Sequence, residues 1–250
     1  SSTSRGLGDV YKRQDMMRNA SHLGKSPMRL HEMRTCKAKW GAYVMVQHKR
    51  VIAMTDGAAA ITQEDIAPTI LPDAYLTSDV AQRMAAFRLP RYNELSSVSL
   101  YRDQVIGVVE QALEPFRDCI DGELLTPSMV NNYVKAGLLP APVKKQYGRE
   151  HIARLIVICI FKQVLSIPAI SALFRIQRLT YLVDIAFDYV ATELENAVHT
   201  AFTLDAAPIA DTASMVTRES LLVRNAVTAF AAKAYLIGYL HFIGFEDRDR

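Results

Sequence analysis

Apolar side chains along this chain recur at helical spacing, and no stretch alternates in the period-2 manner of a strand. Val80, Met84 and Phe87 share one face of a short helix over about 78–87 that Ser78 can cap. Leu89–Leu95, LPRYNEL, reads as an extended connector, because Pro90 drives Leu89 away from helical angles. Val105, Val108, Val109, Ala112, Leu113 and Phe116 form the apolar face of a helix over about 100–119, which Pro115 should kink or end early.

Thr126 then suits an N-cap and Pro127 the first helical position. Met129, Val130, Tyr133 and Val134 follow at helical spacing, and Gly137 stands where a left-handed cap belongs, so the helix runs over about 127–136. Pro140 and Pro142 keep 138–147 out of a helix. A third helix, about 149–165, contains seven consecutive apolar residues, Leu155–Phe161, and so is buried on more than one side. Ser166 caps a fourth, starting near Pro168 and carrying Ile170, Leu173 and Phe174. Two longer helices complete the pattern. The first, over about 180–202, repeats Leu182, Ala186, Tyr189, Val190, Leu194, Ala197 and Val198. The second, over about 212–242 after a loop with Pro208, carries Leu222, Ala226, Phe230, Ala234, Ile237 and Leu240. Its second half has more apolar residues than one stripe needs, which predicts burial on several sides, in a dimer or in the monomer's own core. The fold class expected is all-α.

The pattern does not extend to the beginning. Residues 9–14, DVYKRQ, resemble the translation of a transposon end used as a sequencing adaptor, and 15–53 show no sustained period. Residues 1–53 are read as a non-native leader with Met54 as the preferred start; a basic disordered arm that binds nucleic acid is the alternative. The domain reading is then a loop-rich segment over 54–88, a domain over 89–177 and a helical region over 178–250.

Half of the residues are hydrophobic, enough for a core. The longest apolar runs, near 155–161 and 236–245, fall short of the ~18 residues of a membrane span, and no secretory h-region is found. Cys36, Cys119 and Cys159 are odd in number and far apart, which argues against a disulfide framework or a zinc site and for a reduced cytoplasm. The net charge of +3 is unevenly spread. Residues 126–165 hold six Lys or Arg against one Glu, whereas 54–125 hold five against 12 acidic residues and 166–250 seven against ten. Lysines thus gather around one short helix between acidic flanks.

The order short helix, glycine stop, Leu-Leu-Pro, basic segment, tyrosine, long helix resembles the DNA-binding half of the MerR family of bacterial regulators. The matching residues are Pro127, Tyr133, Lys135, Gly137, Leu138, Leu139, Pro140, Tyr147 and Glu150. Leu89–Ile167 resembles, more specifically, a bacterial family of MerR-like proteins known as domain of unknown function 1836. The resemblance implies a MerR-like helix-turn-helix with a reduced wing, followed by a C-terminal helical dimerisation or effector region. Three departures stand out: Asn131 and Asn132 where an arginine and a tyrosine are usual, a 138–147 segment too short for the family's two-stranded wing, and Gly148 in place of a Ser or Thr cap.

A helix of this length can enter a major groove. Asn131 and Asn132 are suited to adenine, Tyr133 to a phosphate contact, and Lys135, Lys144, Lys145 and Arg149 to phosphates, with Ser128 and Tyr147 as further DNA-binding candidates. Tyr133 fits a core position equally well, and Lys144 and Lys145 also fit a merely solvated turn. His151, His199 and His241 read as surface histidines and Cys159 as a small core side chain. The function expected is a sequence-specific double-stranded DNA-binding transcriptional regulator, homodimeric, whose C-terminal helices either enclose a small effector or simply form the dimer. A helical protein-interaction module that has lost DNA binding is the alternative. No phosphate loop, nucleophile elbow or H-E-x-x-H motif is found, so no enzyme, cofactor or metal is expected.

Overall fold

The computed structural model describes residues 71–244, save 121, 205 and 208. The readings for the leader over 1–53, the start at Met54 and residues 54–70 of the 54–88 segment lie outside the described residues. Those described belong to one compact unit, 68–250, and are mainly helical with one small sheet. In order they form α1 (Asp79–Ala85), a 3-10 turn (Tyr92–Glu94), β1 (Leu100–Tyr101), α2 (Arg102–Ala112), a 3-10 segment (Glu114–Cys119) and α3 (Pro127–Lys135). β2 (Gln146–Tyr147), α4 (Arg149–Phe161), α5 (Ile167–Thr180), α6 (Val183–Ala201) and α7 (Arg218–Phe242) follow.

The caps read from the sequence are made. Ser78 accepts from the Ala81 N–H at 3.2 Å, Thr126 from Met129 at 3.1 Å and Ser166 from Ala169 at 3.4 Å. Each satisfies a backbone donor that the first turn of a helix leaves unpaired. Gly137, at φ +70°, ends α3 in a Schellman motif: its N–H reaches the Val134 carbonyl at 3.0 Å and the Leu138 N–H the Tyr133 carbonyl at 2.9 Å. Pro115 ends α2 at Ala112, and the chain goes on as the tighter 3-10 segment. In α1 the buried face is Ala81 and Met84; Val80, expected beside them, is 45% exposed.

α4 is the centre of the core. Every residue from His151 to Phe161 is buried, and the helix packs against α2, α6 and α7. The connector 89–95 is tied to α6 by polar bonds that sequence periodicity does not reveal. Buried Glu195 accepts from the Leu89 N–H at 2.9 Å, from Arg88 at 2.7 Å and from Arg91 at 2.7 and 2.9 Å. Burial alone would raise its pKa, but these donors outweigh it and hold the carboxyl below the usual range. Asp188 accepts from the Tyr92 N–H at 2.7 Å.

The C-terminal helices correct the sequence reading in three ways. α5 runs on to Thr180, so α6 starts only at Val183; Leu182 is exposed and Phe187 and Ala191 take the core face. Residues 212–217 are not helical, because Thr217 caps α7. The strap before it runs back along α6: the Thr212 N–H bonds to buried Glu193 at 3.0 Å, and Asp211 accepts from the Tyr189 hydroxyl at 2.9 Å. α7 then travels parallel to α6, as Tyr189 meets Ser220, Glu193 meets Arg224 at 2.9 Å and Phe202 meets Tyr235. Finally, α7 does not thread the monomer's own core on several sides, which leaves its remaining apolar residues open to a second copy. One stripe, Ala226, Val227, Phe230, Ala231 and Ala234, is buried, while Leu236, Phe242 and Ile243 are 45–60% exposed. By length and composition alone α7 could cross a bilayer, although no single apolar run in the sequence suggested it; Arg224 on it pairs with Glu193.

Tyr75 closes the far end, edge-on to Tyr235 and Tyr239 and tilted against Phe202 and Phe242. Its hydroxyl lies where a Cβ on Gly238 would stand. This is the close approach that favours a glycine near the C-terminal end of α7.

Candidate nucleic-acid interface

α3 is amphipathic in the sense expected. Val130 and Tyr133 are buried, and Met129 and Val134 are partly so. Ser128, Asn131, Asn132 and Lys135, spaced i, i+3, i+4 and i+7, are all exposed. They form one polar stripe along a nine-residue helix whose N-terminus is capped and whose C-terminus is fixed by Gly137.

Beyond Pro142 the chain makes a minimal hairpin. The Val143 N–H bonds to the Gln146 carbonyl at 3.1 Å, and the Gln146 N–H bonds back at 2.9 Å. Lys144 and Lys145 are the two residues of the turn, at φ +50° and +64°. Two left-handed residues in succession are the signature of a type I′ turn, which normally selects Asn-Gly. β2 continues from the hairpin and pairs antiparallel with β1, Leu100 opposite Tyr147 and Tyr101 opposite Gln146. The sequence reading has 138–147 too short for a two-stranded wing; the segment supplies the two-residue β2 and one isolated bridge at Val143, and the second strand of the sheet, β1, comes from before α2. Both lysines are exposed.

The other three candidates are committed elsewhere. Tyr133 and Tyr147 are buried in the core, and burial pushes the Tyr133 hydroxyl up to about 12. The Arg149 Nε donates to the Leu95 carbonyl at 3.1 Å, and its guanidinium lies 5.7 Å from the centre of the Tyr92 ring. Lys162, part of the basic island, also turns inward, its Nζ 2.6 Å from the Leu124 carbonyl, which fixes the segment leading into α3. Burial lowers its pKa. One cation that the sequence did not single out joins the face: exposed Arg178 reaches from α5 to the Gly137 carbonyl at 3.4 Å, at the end of α3. Only the tertiary fold brings it there.

His151 is buried, not the surface histidine that the sequence suggested. Gly148 has no side chain to cap α4, so His151, at the third helical position, turns back and accepts the Gly148 N–H on Nδ1 at 3.0 Å. Burial lowers its pKa, in keeping with a neutral ring that accepts on Nδ1. His199 and His241 are exposed and Cys159 is buried, as expected. Among the described residues, no group of three or more His, Cys, Asp and Glu could hold a metal.

Residues 90–196 match the model of a family described as Domain of unknown function (DUF1836). No curated protein and no solved structure matches the chain.

Proposed function

We propose that this protein is a sequence-specific double-stranded DNA-binding transcriptional regulator of the cytoplasm, built on a MerR-like winged helix-turn-helix. α2 and α3 are the helical pair, α3 is the recognition helix, and the hairpin at Lys144–Lys145 is a reduced wing. The observation that carries the reading is the pairing of an exposed Ser128/Asn131/Asn132/Lys135 stripe with two lysines held at a turn that disfavours them. Strained positions persist where the side chain has a use. Asn131 and Asn132 would read adenine edges; Ser128, Lys135, Lys144, Lys145 and Arg178 would meet the backbone. Tyr133, Tyr147 and Arg149 would act through the scaffold, holding α3 and the hairpin in place.

A nine-residue helix reads few base pairs, so a two-fold dimer on paired half-sites is part of the proposal. The exposed end of α7, Leu236, Phe242 and Ile243, offers it a surface.

Selection of bound fragments from random duplex DNA tests the proposal, followed by anisotropy titrations over a range of salt. Four cations per protomer, Lys135, Lys144, Lys145 and Arg178, give a log–log salt slope of about −3.6 for one protomer and about −7 for the dimer. Asn131→Ala should relax the base preference by about 1–3 kcal/mol while leaving that slope unchanged. Failure to enrich any sequence would favour the second reading, an interaction module that keeps the fold. That reading is supported by the three candidate residues already spent on scaffold contacts.

A further inference from the structure

A groove of about 470 Å³ opens between α4, α5, α6 and the strap before α7, and nothing in the DNA reading uses it. Its walls are apolar, with Leu173, Phe187 and Val190 within and Met215 and Leu222 at the mouth. One wall carries Arg154, a guanidinium only 6% exposed. Its Nε edge is occupied by Glu150 at 2.8 Å and its face lies 5.3 Å from the centre of the Phe174 ring. Among the described residues, its two terminal nitrogens receive no hydrogen-bond acceptor. Those two nitrogens are not among the fully buried unpaired atoms, so they still reach solvent, and an acceptor on a ligand in the groove would take the place of water there.

The edge left open is a two-donor fork, which fits the two oxygens of a carboxylate. The remaining volume is within the range of small-molecule sites and lined for hydrocarbon. Asp188 and Glu219 also border the groove, which disfavours a ligand that is anionic at both ends. We infer that this groove binds an amphipathic carboxylate, one anionic head on Arg154 and an apolar body lying towards Leu222. The inference does not depend on DNA binding, and neither does its test.

Calorimetric titration of the full chain with decanoate, decanol and decyltrimethylammonium, all below micellar concentration, reads it out. Decanoate should bind one to one, and the other two about 10- to 100-fold more weakly, the worth of a charged hydrogen bond. Arg154→Gln should bring decanoate down to the level of decanol and leave decanol unchanged. Leu222→Glu, at an exposed position, should weaken decanoate tenfold or more without moving the melting temperature. That variant and the comparison of head groups decide the matter even if Arg154→Gln does not fold. Equal binding of decanoate and decanol would overturn the inference. So would a dimer, seen by sedimentation, that Leu222→Glu dissociates and decanoate does not, since a second copy would then fill the groove.

Discussion

Replacing Lys144–Lys145 with Asn-Gly separates what the hairpin does for the fold from what it does for a ligand. Both lysines hold φ near that of the left-handed helix, at +50° and +64°. For an ordinary L-residue this costs about 1–2 kcal/mol, because Cβ crowds the following carbonyl. Asn-Gly adopts the same turn with little strain, though glycine returns about 0.5–1 kcal/mol through its freer unfolded chain. Two such positions would sum to about 2–4 kcal/mol; asparagine keeps part of its share, so with the glycine term the double variant should gain about 1–2 kcal/mol. For a unit of this size, that is a rise of about 2–8 °C in the melting temperature, readable by circular dichroism or calorimetry. The same variant should lose two phosphate contacts per protomer, lowering the salt slope of DNA binding by about 1.8 for each protomer bound. Lys144→Ala with Lys145→Ala is the control: it loses the same contacts, keeps two side chains at positive φ, and should melt no higher than the parent. A fall in melting temperature for Asn-Gly would refute the strain. Unchanged DNA affinity in both variants would refute the role of the lysines.

Three further outcomes follow from the packing. Gly238→Ala places a methyl where the Tyr75 hydroxyl stands, and should destabilise by about 1–3 kcal/mol in urea unfolding; Tyr75→Phe in the same chain should recover part of that loss. Glu195→Ala leaves Arg91 and the Leu89 N–H without their carboxylate and should cost about 3–5 kcal/mol, against little for the exposed Glu123→Ala. His151 binds its proton less readily in the fold than in the unfolded chain. Its contribution is therefore complete above the unfolded value of about 6.5 and declines as pH falls from there towards the lower folded value. Comparing urea midpoints of the parent and His151→Gln across pH 7 to 5 should show the difference narrowing in that window; a constant difference would sink the capping role.

Much of this architecture was legible because its determinants are local. Ser78, Thr126, Ser166 and Gly137 each act within four or five residues of themselves, and the caps and stops were placed accordingly. The polar stripe of α3 follows from spacing alone. What escaped depends on partners distant in the chain. The strap over 211–217 stays out of helix because Glu193 and Asp211 hold it, and Arg149 is diverted by a carbonyl 54 residues away. The hairpin was missed for a different reason: Lys-Lys contradicts the chemistry of its own turn, so no sequence rule points to it.

The parallel course of α6 and α7 bears on how short a fragment of this chain can stand alone. The matched stretch ends at residue 196, about a turn and a half before α6 itself does, and leaves out the strap and all of α7. Yet Phe116, inside that stretch, stacks edge-on against Phe230 at 4.9 Å, and Glu193 finds Arg224 and Thr212 only beyond it. An excised 90–196 piece would carry a bare apolar flank and a stranded carboxylate, the makings of a dye-binding, loosely packed species rather than a native one. The stretch that matches a family model and the unit that packs together thus have different borders here, and a fragment meant for solution work has to reach at least to Phe242.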